Sequence, residues 1–358
     1  MKVINFDRCE KDLSFYLGLE KYIINLNDDS DYFFIWNINK SIIIGSNQLL
    51  ESEVDYKKAL NKGFKIYRRP SGGGAICADE GCFMFTFITK MISKDDAYHF
   101  YLTRILDILK SLKLDAYLSG RNDLMFMNKK FSGNSIYFQN NKTILHGTFL
   151  FNANLDLIDE LLVPSSLKLE SKGIKSVKER VINLKSFLPF GEKYELMDYI
   201  NNNIDENITF ISLNLEELKL VNEYKTLFED HDYIYNDAPP FTYKNKKKYH
   251  FGLIEVYIFV TRGIINEFRL VGDFFNLASI SDLESKFINK KYQDILSIAC
   301  SIKISDYIDN MTNEEFIDLL GGENGITRKE NNSLWQTRRK QSKNSWIWWI
   351  LNAYWIWL

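Results

Sequence analysis

The chain's tightest constraint is a run of three glycines. Gly72-Gly73-Gly74 lies between two apolar runs, residues 64–67 and 83–88, whose aromatic and β-branched content reads as strands. Consecutive glycines let the backbone take positive φ and approach a ligand closely. Exposed N–H groups in such a loop form an anion nest. Arg68 and Arg69 stand directly before it and supply forked donors for phosphate or carboxylate. No Gly-Lys-Ser/Thr follows, which excludes a P-loop, and no Gly-x-Gly-x-x-Gly opens a helix, which excludes a dinucleotide fingerprint. Taken alone, a triple glycine is more often a flexible hairpin turn flanked by solvated arginines than a binding loop.

Around this loop the periodicity predicts a helix over 13–24, with apolar residues at spacings of three and four and Asp12 as N-cap. Strands are expected at 31–36, 41–45, 64–67 and 83–88, then at 124–127 and 144–151 on either side of a turn-rich stretch. A helix is expected over 96–112, and helical segments over 194–201 and 215–228. Pro239-Pro240 and the basic run Lys244-Asn245-Lys246-Lys247-Lys248 mark a boundary. Beyond it, 251–260, a turn at Arg262-Gly263, and 264–271 read as a hairpin, followed by helical segments at 281–287 and 313–320. A chain of 358 residues usually divides into two domains. The expected division is 1–240, 245–328 and a tail, 329–358.

Composition closes several function classes. Lys+Arg total 45 against 47 Asp+Glu, a net charge of −2 that gives no basic surplus for a nucleic-acid clamp. The four cysteines, Cys9, Cys77, Cys82 and Cys300, are too scattered for a disulfide framework, and the start has no apolar signal-peptide core. A cytoplasmic protein is expected.

Two neighbours change the reading of the glycine loop. Ser119-Gly120-Arg121-Asn122-Asp123-Leu124 sets an amide beside a carboxylate just before a strand, a pair suited to a hard cation and its phosphate ligands. Alone, Asn-Asp is usually a turn. Lys129-Lys130-Phe131-Ser132-Gly133-Asn134 sets a lysine before a glycine turn. Such a lysine is normally solvated; beside a carboxylate and a nucleotide phosphate it is a point charge that steadies both. His146, in an apolar strand, reads as a supporting residue, and His99, His231 and His250 share no metal-ligand spacing.

In their order, Arg68-Arg69-Pro70-Ser71-Gly72-Gly73-Gly74-Ala75, Ser119 to Leu124, Lys130-Phe131-Ser132-Gly133 and His146-Gly147-Thr148 resemble the lipoate–protein ligase A family. Leu17-Gly18-Leu19-Glu20-Lys21-Tyr22, Ile44-Gly45-Ser46-Asn47-Gln48, the Lys172-Gly173-Ile174 segment and Gly272-Asp273-Phe274-Phe275 are also similar to it, so the likeness spans roughly residues 1–325. The resemblance implies an α+β fold: a biotin/lipoate-ligase-like catalytic domain on a mixed, mainly antiparallel sheet with flanking helices, plus a small α+β C-terminal domain. It implies activation of lipoate by ATP and Mg²⁺ to lipoyl-AMP and pyrophosphate. The lipoyl group then passes to a lysine of an apo lipoyl domain, in 2-oxoacid dehydrogenase acyltransferase subunits or the glycine-cleavage H protein. By the same resemblance Lys130 is catalytic. Arg68, Gly73, Gly74, Ala75, Ile76, Asn122, Asp123 and Lys130 hold ATP or the adenylate, with Asp123 facing Mg²⁺. Ser71, Gly72, Lys130, Tyr137 and His146 meet lipoate, while Ile44, Phe83 and Phe85 line an apolar slot for its tail. The family's domain rearrangement places a hinge at the double proline.

The chain departs from the family at Ala78, where relatives commonly carry histidine, at Cys82, commonly asparagine, and at Tyr137, where some have arginine. These departures leave lipoate against octanoate, and free acid against preformed adenylate, open. The main rival is an octanoyl or lipoyl acyltransferase working through a cysteine thioester, which needs an activated thiol. Cys77 and Cys82 flank the loop but stand off that nucleophile's position. A biotin–protein ligase, whose glycine–arginine-rich loop is absent, and a non-catalytic lipoyl-binding protein are weaker rivals. The tail stands apart: of seven Trp, six fall between Trp335 and Leu358. Its last segment mimics an interfacial anchor but falls short of the roughly 20 apolar residues that span a bilayer. A reading-frame artefact, without stable membrane insertion, is the expectation.

Overall fold

A computed structural model of the chain describes residues 1–6, 11–120, 122–162, 177–235 and 241–321. Cys9, Arg121, the Lys172-Gly173-Ile174 segment, Pro239-Pro240 and the tryptophan-rich tail lie outside the described residues. The strands are β1 (Lys2–Ile4), β2 (Tyr32–Trp36), β3 (Ser41–Ile44), β4 (Lys65–Arg68), β5 (Ile76–Ala78), β6 (Cys82–Lys90) and β7 (Tyr117–Ser119). They continue with β8 (Asp123–Phe126), β9 (Lys129–Gln139), β10 (Lys142–Leu150), β11 (Thr209–Ile211), β12 (Tyr243–Tyr249), β13 (Gly252–Thr261) and β14 (Ile264–Gly272).

The largest sheet has eight strands in the order β11-β1-β2-β6-β10-β9-β8-β7. β1 runs parallel to both β11 and β2, and every pairing from β2 to β7 is antiparallel. Side chains alternate across a strand, and here both faces are apolar. Phe33, Ile35, Phe83, Phe85 and Phe87 point to one core, with the helices Lys94–Ser111 and Lys193–Asn203 over it. Tyr32, Phe34, Trp36, Met84 and Ile88 point to the other, beneath the helix Leu13–Ile24. That helix is buried along nearly its whole length because Val221 and Phe228, from the segment beginning at Leu215, cover its far side. Asp12 holds the N-cap position, but its carboxylate pairs with Lys65 at 2.6 Å rather than capping the helix.

A smaller sheet, β4-β3-β5, corrects the hairpin reading of the glycine loop. The flanking runs fall in different sheets, with β5 interposed. β4 pairs in parallel with β3 and β5 pairs with it antiparallel. The connection from β4 to β5 must therefore cross the C-terminal end of β3, and the glycines make that crossing. The turn-rich stretch before 144–151 is likewise mostly the long strand β9, continuous with β10 through a two-residue turn at Asn140 and Asn141, both at positive φ.

β12, β13 and β14 form a third, antiparallel sheet packed with the helices Ile280–Ser285, Ile295–Cys300 and Asn313–Leu319 around Ile254, Val256, Phe268, Phe287 and Phe316. The basic run is the edge strand β12. Lys244 and Lys246 both pair with Glu255 on β13, at 2.9 and 2.8 Å, and Lys247 pairs with Asp318. Contacts between this unit and the rest include Leu49 packed on Tyr257 and Val271, Gly272 N–H donating to Asn47 O at 2.7 Å, the Asn47 amide donating to Asn276 Oδ1 at 3.3 Å, and Lys94 paired with Asp309. Among the described residues no helix is long and apolar enough to cross a membrane.

Candidate active site

The site begins where β3 and β4 end side by side. Arg68 is 2% exposed, and its guanidinium donates to Gly45 O (2.9 Å), Gln48 O (2.7 Å), Tyr233 O (2.8 Å) and Ile234 O (2.9 Å). Arg69 donates to Ser71 Oγ at 3.1 Å and to Gly72 O and Gly74 O at 2.8 Å each. Burial pulls both arginines down to about 10, so both stay charged at neutral pH. Their charge rests on backbone carbonyls. Both are braces: Arg69 folds the glycine loop onto itself, and Arg68 ties 45–48 to the helix His231–Tyr235.

Within the loop Gly73 takes φ +94°, open to glycine but costly for a side chain, and its N–H donates to Phe274 O at 3.3 Å. Gly74 is exposed and faces open space, while Ala75 and Ile76 are half-buried. Ser135 Oγ, on β9, donates to Gly72 O at 3.0 Å, so the loop lies against the strand that also carries Lys130.

Lys130 follows a tight turn at Met127 and Asn128, both at positive φ, the geometry of a two-residue hairpin. A bulge between Leu124 and Met125 shifts the register and sets Asp123 opposite Gly133. Lys130 Nζ crosses Gly133 to reach Asp123 Oδ1 at 2.7 Å, with the two side chains 37% and 36% exposed. A Cβ on Gly133 would sit 2.5 Å from that Nζ. Asn122 serves as a bracket: its amide donates to Asn134 O, and Asn134 returns a bond to Asn122 O at 2.8 Å. Thr148 Oγ1 accepts from Gly133 N–H at 3.1 Å, so the His146-Gly147-Thr148 run supports the lysine hairpin.

Below the loop runs a buried polar chain. Ser71 Oγ meets His146 Nε2 at 2.6 Å, and His146 Nδ1 meets Glu20 Oε1 at 3.1 Å. Glu20 also accepts from Thr86 (2.8 Å) and Tyr137 (3.0 Å). Tyr137 is thus turned into the core, where burial and then Glu20 push its hydroxyl far above the ordinary tyrosine range. Sequence reasoning passed over Glu20, Thr86 and Asn134. A signal for Glu20 existed, since a lone acid on the core-facing side of an apolar helix must find donors. Phe83, Phe85 and Ile44 are fully packed into cores, Phe83 stacked on Phe149 at 4.6 Å.

Cys77 and Cys82 are buried; burial pushes Cys77 up to about 12 and drives Cys82 in the same direction. No group of three or more His, Cys, Asp or Glu side chains fit to hold a metal occurs among the described residues.

The mixed sheet, crossing glycine loop, lysine hairpin and small C-terminal sheet define a protein of the lipoate-ligase fold. It is shared with the crystal structure of P. falciparum LipL1 in complex with lipoate (TM-score 0.68, 24% identity, 89% of this chain and 97% of that one). A lipoate-protein ligase A bound with ATP is also similar (TM-score 0.55, 19% identity, 65% and 98%). The model of the lipoyl protein ligase A/B catalytic domain matches residues 12–204, and that of the bacterial lipoate protein ligase C-terminus matches 238–320. Lipoate-protein ligase LplJ of Bacillus subtilis is 31% identical over 317 residues, 85% of this chain and 95% of that one. Lipoate–protein ligase 1 of Staphylococcus aureus is 30% identical over 323 residues, again 85% and 95%. The chain belongs to the lipoate–protein ligase family, a family of enzymes.

Proposed function

We propose that the chain activates lipoate with ATP, releasing pyrophosphate, and transfers the lipoyl group from lipoyl-AMP to a lysine of an apo lipoyl domain. The observation that carries this reading is the Lys130–Asp123 pair, held on a bulged hairpin whose strand also supports the glycine loop. A carboxylate must approach an α-phosphate although both are negative, so a cation poised between them lowers the barrier by charge stabilisation and positioning. Lys130 is that cation, free to swing because its pair is half exposed. Gly73, Gly74, Ala75 and Ile76 offer backbone to the nucleotide, and Ser71, Gly72 and His146 stand at the acyl end. Asp123 would hold Mg²⁺, which supplies further neutralisation of the phosphates. Arg68 and Asn122 serve by shaping backbone around the ligands, and Tyr137 serves from below by holding the buried Glu20 carboxylate.

The thioester alternative requires a thiolate, and burial suppresses it at both cysteines beside the loop. The acceptor is a lipoyl domain of an acyltransferase subunit or an H protein; a bipartite lipoate protein ligase of the same fold from Thermoplasma acidophilum belongs to a lipoylation system described with its E2 lipoyl domain (TM-score 0.58, 20% identity). We assign 1–240 to the catalytic domain, 245–328 to the accessory domain and 329–358 to a dispensable tail, in a cytoplasmic enzyme. Purified protein incubated with lipoate, ATP-Mg²⁺ and an apo lipoyl domain should add a lipoyl mass to the domain. The adduct should vanish without ATP or with Lys130→Ala and survive truncation at Glu330. An adduct formed without ATP would overturn the ligase reading in favour of acyl transfer.

A further inference from the structure

The eight-stranded sheet has two outer strands, and one of them stands beside the reacting groups. β7 ends the sheet on one side and β11 on the other. Among the described residues each pairs with a single neighbouring strand, so each presents an outer edge to which a further strand can add. Each also carries an exposed aromatic ring, Tyr117 at 40% and Phe210 at 48%. Distance decides between them. Ser119, Asp123 and Gly133 stand in one row across β7, β8 and β9. Residues in register share a face of the sheet, and on this face Lys130 Nζ crosses Gly133 to reach Asp123. Tyr117 and Met125 form the next row on the same face. Strands are spaced about 4.8 Å apart, so a strand added outside β7 runs about 10 Å from β8. A lysine side chain spans about 6 Å, which brings its amine within about 4 Å of β8, where Asp123 stands. β11 is six spacings from β8, about 29 Å, and no side chain crosses that span.

The hairpin tip beside β7 extends this surface. Met127 is 61% exposed, and the Tyr117 hydroxyl donates to Asn128 Oδ1 at 2.8 Å, which ties strand and tip into one patch. Of the charges nearest in sequence, Lys130 is paired with Asp123, and Lys113 matches Asp115 in number; exposed Lys129 is left over. The patch is therefore apolar with a positive rim. We propose that the outer edge of β7 and the Met127 tip form the docking surface for the acceptor domain. The domain adds an extended segment to β7, sets an acidic side chain near Lys129, and reaches with its lysine across Ser119 to the Lys130–Asp123 pair. This rests on the ligase reading and names the surface that the second step uses. In that step the amine nitrogen bonds to the acyl carbon and the bond from that carbon to the phosphate oxygen breaks. AMP leaves with the electron pair, and the amine gives its proton to solvent. A partner held on β7 supplies the proximity this needs, because the amine arrives as part of a bound surface.

The test separates the two half-reactions in the full chain. Lipoyl-AMP formation is read as pyrophosphate released with lipoate and ATP alone. Transfer is read by mass spectrometry on an apo lipoyl domain, and again with hydroxylamine, a small amine that needs no docking. Tyr117→Glu should raise the KM for the lipoyl domain about tenfold or more, and Lys129→Glu about threefold or more. Pyrophosphate release and hydroxylamine capture should stay at the wild-type level in both. Phe210→Glu, on the far edge, should leave all three readings unchanged. Added salt should raise the domain's KM in the wild type and do so less in Lys129→Glu. An unchanged domain KM in either folded variant overturns the proposal, as does an equal rise with Phe210→Glu. A parallel loss of hydroxylamine capture also overturns it, because the defect then lies in the reacting groups and not in docking. So does a wild-type dimer in sedimentation that Tyr117→Glu dissociates while the domain's KM stays put, which assigns the edge to a second copy of the chain. Lys129→Glu changes only an exposed side chain and decides alone if Tyr117→Glu does not fold. A wild-type chain that makes no lipoyl-AMP sinks the ligase reading and this inference with it, whereas the variant results sink only the inference.

Discussion

Arg68 separates two roles that a sequence cannot. If it grips ATP, its replacement leaves the fold intact and raises the KM for ATP. If it is the brace seen here, its replacement loosens the chain first. Arg68→Met keeps most of the side-chain volume and deletes the guanidinium. The carbonyls of Gly45, Gln48 and Ile234 are buried where they meet it and lose this donor. An orphaned buried acceptor costs about 1–3 kcal/mol. Removing a buried charge returns part of its own desolvation cost, which offsets some of that loss. A net destabilisation of about 2–4 kcal/mol is expected, a large share of the usual 5–15 kcal/mol of a folded domain. At about 2–4 °C per kcal/mol for a domain of this size, the melting temperature should drop by roughly 5–15 °C. Differential scanning calorimetry of wild type and Arg68→Met, paired with ATP-dependent adenylate formation below the lower midpoint, reads both roles. An unchanged melting temperature with a many-fold rise in the KM for ATP would refute the brace.

Lys130→Ala should do the opposite, abolishing lipoyl-AMP formation while shifting the melting temperature by about 2 °C or less, since an exposed ion pair contributes about 0–1 kcal/mol; a large drop in stability would contradict the poised, mobile lysine. Cys77→Ala and Cys82→Ala should each keep ATP-dependent lipoylation, and peptide mapping after alkylation at pH 8 should find both thiols unmodified in the native chain; fast labelling of either would reopen the thioester route. Acid should unfold the chain through paired carboxylates. Burial pushes Glu255 up, but Lys246 and Lys244 outweigh it and hold its net value below the usual range; Lys2 and then Tyr32 hold Asp28 well below it. A depressed folded-state value stabilises above the unfolded one, and that contribution fades as pH falls through the folded value. Melting temperature should thus hold above about pH 5 and decline below about pH 4, whereas a flat profile to lower pH would contradict these pairings.

Much of the fold was legible because the first helix and the aromatic strands carry clean periods. The helix over 13–24 and the C-terminal hairpin fall where the pattern puts them. What escaped was pairing. Residues 64–67 and 83–88 both read as strands, yet nothing local says that β4 pairs in parallel with β3 while β6 joins the larger sheet. β12 escaped because its lysines look like a linker until Glu255 and Asp318 are seen opposite them. At the site, the motif residues Lys130, Asp123 and the glycines were legible by their kind. The inward turn of Tyr137 and the carbonyl-bound Arg68 were not, because hydrogen-bond partners 117 residues away from the one and 165 or 166 from the other leave no trace in a local motif.

These buried partners also explain how so conspicuous a motif can coexist with so little chemistry in most of its residues. Arg68, Arg69, Asn122 and Thr148 each end on backbone, fixing where the loop and the hairpin stand. Lys130 and Asp123, paired and part exposed, remain able to exchange partners. A site that brings two anions together needs this division, since electrostatic stabilisation works only if the dipoles and charges are already placed when the reaction begins. The fixed residues hold the geometry through buried bonds that are expensive to break, and the exposed pair is cheap to separate. The same logic assigns the departures at Ala78 and Cys82. Both are buried, at 1% exposure, so they belong to the fixed part and alter the shape of the cradle rather than its charge.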